Sequence, residues 1–282
     1  MGKRILSGAV VMVLAVAAIL AGGTILAAVL FVISCTAYRE LCKATGVHNK
    51  KGMDALETIG YGGIFLYYFL LWQKAAGYNL IGEKGIQFLL FMLPIGILML
   101  MMAAYVLTFP KYRSEQVMAA FFCLIYAPVM LSFIYLTERL PYGRYIVWMI
   151  FISSWVCDTC AYFTGVTLGR HRMAPVLSPK KSVEGAIGGV AGSCLAGVLF
   201  AFLLAGKAIP DKNVTWAFAA IGGMGAVISQ IGDLAASAIK RNHEIKDYGT
   251  CIPGHGGIMD RFDSVIFTAP IIYFMAQLLI GA

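Results

Sequence analysis

The chain has 282 residues, of which 60% are hydrophobic and only 13% charged. A soluble domain carries about 25% charged residues and about 45–50% apolar ones, so a soluble enzyme, a disordered chain and an ordinary nucleic-acid-binding domain are excluded. The net charge of +8, from 22 Lys and Arg against 14 Asp and Glu, then belongs mostly to loops. There it suits anionic lipid head groups and phosphates rather than nucleic acid.

A membrane-spanning helix needs about 20 apolar residues. Nine stretches come close to or exceed that length: 5–21, 22–38, 55–73, 85–108, 115–137, 145–169, 183–205, 214–239 and 262–280. They predict an all-α polytopic membrane protein of about nine transmembrane helices. Gly22-Gly23 reads as a tight turn between the first two. Lys3-Arg4 ahead of an apolar run also resembles a signal peptide. No polar segment follows it, however, so the run is read as retained.

Charge in the connecting loops sets the orientation. One alternating set of loops holds 16 of the 22 Lys and Arg, among them Arg39, Lys43, Lys111, Arg170, Lys180, Lys181, Lys240 and Lys246. The other set holds only Lys74, Lys84, Arg139, Arg144, Lys207 and Lys212. By the positive-inside rule the N-terminus is cytoplasmic. The seven cysteines do not form a disulfide framework, since most lie inside apolar runs where cysteine acts as a small hydrophobe. Cys157-x-x-Cys160 has neither a second pair nor neighbouring histidines and reads as packing.

The two halves differ. Residues 1–140 place almost no ionisable residue inside a span, with Glu57 the nearest case, and read as a transmembrane scaffold. Residues 141–282 carry polar residues within spans and the longest polar loops, and read as the catalytic region. A carboxylate at a helix centre costs roughly 2.5–3.5 kcal/mol even on the lenient insertion scale, so it needs a reason to be there. Asp158 shares a helix face with Ser154, Tyr162 and Gly165, and Asp233 shares one with Ser229, Ser237 and Lys240. Small-x-x-x-small spacings at Gly185, Gly188, Gly189 and Gly192 and at Gly222, Gly225, Ser229 and Gly232 allow close helix approach. They fit a compact polar site and plain helix association equally.

Two basic loops follow these stripes. In the first, Lys180 and Lys181 precede Ser182, an expected N-cap, and Glu184 in the first helical turn. Helix N–H groups there favour phosphate oxygens. The second runs from Lys240, Arg241 and Lys246 to Gly254, His255, Gly256, Gly257, Asp260, Arg261 and Asp263. Its glycines let backbone N–H groups approach a phosphate. Carboxylates beside lysines and arginines describe a site for Mg²⁺ with polyphosphate. His255 reads as a general acid or base, or as a loop hydrogen bonder.

The run Ser237-x-Ile239-Lys240-Arg241-x4-Lys246-Asp247-x-Gly249-x2-Ile252-Pro253-x-His255-Gly256-Gly257-Ile258-x-Asp260-Arg261-Phe262-Asp263 resembles the signature of the phosphatidate cytidylyltransferase, or CDP-diacylglycerol synthase, family. Similar to that family too are Asp158-Thr159-x-Ala161-Tyr162-x2-Gly165, Ser178-Pro179-Lys180-Lys181-Ser182-x-Glu184-Gly185 and Gly232-Asp233-Leu234-x-Ala236-Ser237. The motifs cover about 145–282. The resemblance implies the reaction of CTP with phosphatidate to give CDP-diacylglycerol and pyrophosphate, with a divalent metal, Mg²⁺, as one ion or two. It implies Asp233 and Asp260 as metal ligands and Asp158, Lys181, Lys240 and Asp263 in the catalytic centre. Lys180, Arg241, Lys246, His255, Gly256, Gly257 and Arg261 are the expected phosphate-binding residues. It further implies a homodimer. Composition and loop charge point to membrane lipids rather than nucleic acid and to a site facing the cytoplasm, and the short chain points to the plasma membrane. Two alternatives stand: an ion-coupled transporter using Asp158 and Asp233, and a different membrane lipid phosphotransferase.

Overall fold

The computed structural model describes residues 13–48, 53–76, 82–210, 213–251 and 256–281. The chain divides into two compact units: residues 1–132 with 245–260, and residues 133–244 with 261–282. Residues 245–260, the middle of the second basic loop, are therefore grouped with the N-terminal half of the chain.

In the first unit, residues 13–21 are helical. They are followed by α1 (Gly23–Ala44), α2 (Ala55–Ala76), α3 (Gly82–Leu107) and α4 (Ser114–Leu124). The expected turn lies at Gly22 and Gly23, whose φ values of 60° and 51° suit glycine. On α1 the buried residues Leu26, Leu30, Ser34, Ala37, Tyr38 and Leu41 recur every three or four positions and form one stripe. Gly60 of α2 leaves room for the Tyr38 ring against its backbone. A π-helical turn at Ile125–Val129 follows α4 and contains Pro128. Proline has no N–H to donate, so the ladder is interrupted there. The Pro128 carbonyl instead accepts the Tyr68 hydroxyl at 3.3 Å, and that hydroxyl also meets Ser34 Oγ at 2.7 Å. Ahead of α2, Asp54 Oδ1 accepts from both Lys111 Nζ and Tyr112 Oη at 2.6 Å, which clamps the α3–α4 connection.

Helix α5 (Met130–Glu138) continues from the π turn and leads into the second unit. There follow α6 (Gly143–Leu168), α7 (Val183–Leu203), α8 (Val214–Asn242) and α9 (Met259–Ile280), whose first two residues belong to the first unit. Between α6 and α7 the chain is not a plain loop. Arg172–Ala174 (β1) and Ser178–Ser182 (β2) pair as a short antiparallel ladder with a bulge. The small-residue spacings serve close approach. A Cβ on Gly185 would lie 2.7 Å from the Ala161 carbonyl oxygen, and one on Gly189 would lie 2.8 Å from Cys157 Sγ. Gly192 faces Cys160 in the same way. The two cysteines thus fill notches above glycines at the α6–α7 contact.

Among the described residues, seven helices are long and apolar enough to cross a bilayer. The α2 helix is not among the seven. The first expected span begins outside the described residues. The protein is an all-α polytopic membrane protein apart from the β1–β2 ladder. On α8 the apolar stretch from Val214 to Gly232 is roughly 28 Å long at 1.5 Å per residue. That is close to the thickness of a hydrocarbon core, about 30 Å.

Candidate active site

The second unit brings α6, β2, α7 and α8 together around a candidate site of its own. Ser182 ends β2 in extended conformation and caps α7, its Oγ accepting Gly185 N at 3.1 Å as expected for an N-cap. Glu184 in the first turn accepts the Arg170 and His171 N–H groups at 3.0 and 3.2 Å and meets His171 Nδ1 at 2.6 Å. Its carboxylate fixes the entry to β1. With cap and ladder both set, the direction of Lys181 is set too. Lys181 Nζ pairs with Asp233 Oδ2 of α8, both side chains being partly buried.

A cavity of about 430 Å³ opens beside this pair. Asp158, Tyr162, Arg172, Lys180, Lys181 and Gln230 give it its polar wall. Asp158 is within electrostatic reach of Asp233 and Lys181. Asp263 on α9 is within reach of Asp233, Lys240 and Asp158. Three carboxylates and two lysines thus share one region, where Lys181 and Lys240 counter part of the repulsion among the acids. The expected Ser154–Asp158–Tyr162–Gly165 face divides in use. Asp158, Tyr162 and Gly165 line the cavity, whereas Ser154 is buried, donates to the Ile150 carbonyl at 3.1 Å and faces Thr268. Ser154 is a helix–helix contact. Cys157 lies behind the wall, 3.6 Å from the Ala226 carbonyl and 3.4 Å from Gln230 Nε2.

The first unit holds the motif residues from Lys246 to Asp260, whereas Lys240, Arg241, Arg261 and Asp263 belong to the second. Asp260 Oδ2 accepts the Tyr248 and Gly257 N–H groups, both at 2.9 Å, which folds the loop back on itself. Gly256 has φ 85°, a conformation that glycine adopts without strain. Lys246 and Asp247 line a separate cavity of about 710 Å³ with Arg39, Glu40 and Lys43 of α1. Sequence reasoning passed over Glu40, although it is buried with 4% exposure and hydrogen-bonded into this loop. Arg241 and Arg261 are exposed. His255 lies outside the described residues, as do Pro253 and Gly254.

The acidic donors are all oxygen, which suits a hard cation. Among the described residues no three His, Cys, Asp or Glu side chains form a ready-made cage. That donor set fits Mg²⁺, which commonly takes one or two carboxylates and completes its shell with water and substrate phosphates.

Comparison with known proteins agrees with this chemistry. Residues 2–279 match the profile of the cytidylyltransferase family. The phosphatidate cytidylyltransferase of Thermotoga maritima is 34% identical over 220 residues, which is 77% of this chain and 79% of that protein. That of Staphylococcus haemolyticus is 30% identical over 278 residues, covering 96% of this chain and 97% of the relative. The Synechocystis enzyme of the same name is 43% identical over a shorter stretch of 143 residues, 51% of this chain and 47% of its own.

Proposed function

The chain belongs to the cytidylyltransferase family, and we propose that it transfers the cytidylyl group of CTP to phosphatidate, giving CDP-diacylglycerol and pyrophosphate. The observation that carries this reading is the Lys181–Asp233 pair in the region of a cavity that also presents Asp158, Lys180 and Arg172.

In this reaction a phosphate oxygen of phosphatidate attacks the α-phosphorus of CTP, and the bond to the β-phosphate oxygen breaks. The nucleophile is already an anion at neutral pH, so little general-base help is needed. The obstacle is repulsion between two polyanions and the charge gathering on pyrophosphate. Lys180, Lys181 and Arg172 meet that need by offering cationic N–H donors along the cavity wall. Asp233 orients Lys181 through their ion pair, and Lys240 lies within electrostatic reach of Asp263. Asp233 in the second unit and Asp260 in the first are each proposed as a carboxylate ligand for Mg²⁺, which when bound neutralises phosphate charge. The Gly257 N–H is already taken by Asp260, so the expected further phosphate contacts would come from the Gly256 N–H with Lys246, Arg241, Arg261 and His255.

We further propose that the N-terminus and the motif loops face the cytoplasm of a bacterial plasma membrane, where CTP is available, and that the protein works as a homodimer. The loop-charge asymmetry supports the orientation.

The test uses the purified chain in detergent with phosphatidate and CTP labelled at either phosphate end. Label in the α-phosphate moves into lipid and label in the γ-phosphate leaves as pyrophosphate. An α-label recovered only as water-soluble CMP would overturn the proposal.

A further inference from the structure

Glu40 lies near the end of α1, in the half of the chain that reads as scaffold. Its carboxylate is nonetheless buried, and it accepts two backbone N–H groups from the far end of the sequence. Oε1 accepts Ile258 N at 3.1 Å and Oε2 accepts Met259 N at 2.8 Å. These are the donors at the start of α9, which have no carbonyl of their own helix to bind. A carboxylate there is also favoured by the helix dipole. Two motif glycines fit around the same group. A Cβ on Gly249 would lie 2.7 Å from Glu40 Cδ, and one on Gly257 would lie 2.6 Å from it. Asp260, one residue beyond Met259, then ties Tyr248 and Gly257 together.

We propose that Glu40 is the positioning residue for the second basic loop: it acts as a capping acceptor at the start of α9 and fixes where Gly257 and Asp260 are presented. This rests on the cytidylyltransferase reading for what the loop does, though not for the anchor itself. Two consequences follow from the geometry. The glycines at 249 and 257 are required because the carboxylate fills the space that a side chain would take. The N-terminal half contributes to turnover through one acid rather than only by embedding the chain in lipid.

The experiment compares wild type, Glu40→Ala and Glu40→Gln as full chains in detergent. Peptide-resolved hydrogen exchange is followed over 256–262, alongside kcat for CDP-lipid formation. With alanine, exchange in that segment should quicken about tenfold or more, the equivalent of one lost hydrogen bond to a charged group, and kcat should fall. Glutamine keeps one carbonyl oxygen and should lie between the two in both readouts. Unchanged exchange over 256–262, or wild-type kcat despite faster exchange there, would overturn the proposal. So would acceleration spread evenly over every helix in Glu40→Gln, since that marks a merely structural acid. A wild-type chain that forms no CDP-lipid contradicts the reaction reading. In that case local acceleration in Glu40→Ala still supports the anchor, so the two failures are distinguishable.

Discussion

Lys181 of β2 and Asp233 of α8 are 52 positions apart in sequence, yet their side chains form an ion pair in the second unit. Three local features make the pair possible: the Ser182 cap, the β1–β2 ladder and the Gly185 notch that seats α7 against α6. Removing either charge leaves the other in a partly buried setting, but the two losses should differ in kind. Lys181→Ala removes an electrostatic contact to phosphate and should lower kcat by roughly 10²–10³ with activity still measurable. Asp233→Asn should in addition shift the Mg²⁺ concentration needed for half-maximal rate. Titrating Mg²⁺ against both variants separates them, and identical metal dependence in the two would contradict the ligand role of Asp233.

The Gly185 notch is a packing requirement. A Cβ there would sit 2.7 Å from the Ala161 carbonyl and 2.9 Å from Ser182 Oγ. Gly185→Val should therefore push α7 off α6 and displace Lys181, at a cost of about 1–3 kcal/mol. The check is thermal unfolding in detergent together with activity. An unshifted midpoint would mean that the helices part without penalty.

Replacing both Cys157 and Cys160 by Ser should preserve most turnover. The Cys157 thiol sits between the Ala226 carbonyl and the Gln230 amide, so a serine hydroxyl finds one partner of each kind. Activity below about one tenth of wild type in a variant with an unchanged unfolding midpoint would show that a thiol takes part in the chemistry. That threshold corresponds to roughly 1.4 kcal/mol of lost transition-state stabilisation.

Much of this was legible before any coordinates. Long apolar runs placed most of the helices to within a few residues, because in a bilayer apolar length alone selects a spanning helix. However, α1 runs to Ala44 where the expected span ends at 38, and the one expected span 115–137 is divided by the π turn into α4 and α5. Ser182 and Glu184 marked the start of α7 by residue type. The β1–β2 ladder was not legible. Arg172-Met173-Ala174 and Ser178-Pro179-Lys180-Lys181-Ser182 show no apolar alternation, and their pairing is held by turn geometry and by Glu184 on the flanking backbone. Glu40 was not legible for another reason. Beside Arg39 and Lys43 it looks like an ordinary charged helix end, and its partners lie 218 and 219 positions away.

The Asp54 clamp gives a pH signature. Partial burial raises the Asp54 carboxyl, but hydrogen bonds from Lys111 and Tyr112 and the Lys111 charge outweigh it and hold the group below its ordinary value of 3.8. A group depressed in the folded state adds stability above its unfolded pKa and loses it as pH falls through the folded value. Wild type should therefore melt above Asp54→Asn at neutral pH, and the gap should close only below about pH 3.8. A gap that is constant across that range would show that the clamp is not a charge effect.

Orientation can be read at Val176, which is 86% exposed on the β1–β2 turn and lies outside the proposed machinery. A cysteine placed there should react with impermeant reagents only from the cytoplasmic face of sealed vesicles. Labelling from outside intact cells would reverse the topology and close the route for CTP.

The most direct measurement is CDP-diacylglycerol formation from CTP, phosphatidate and Mg²⁺ by purified wild type and by the Asp233→Asn/Asp260→Asn double variant, each with folding checked by its unfolding midpoint. Both substitutions keep the shape of the side chain and remove only negative charge. Wild type should convert phosphatidate to the CDP-lipid with one pyrophosphate released per lipid, and the folded double variant should form none. Near-normal synthesis by the double variant, or a wild type inert toward phosphatidate, would contradict cytidylyl transfer at this site.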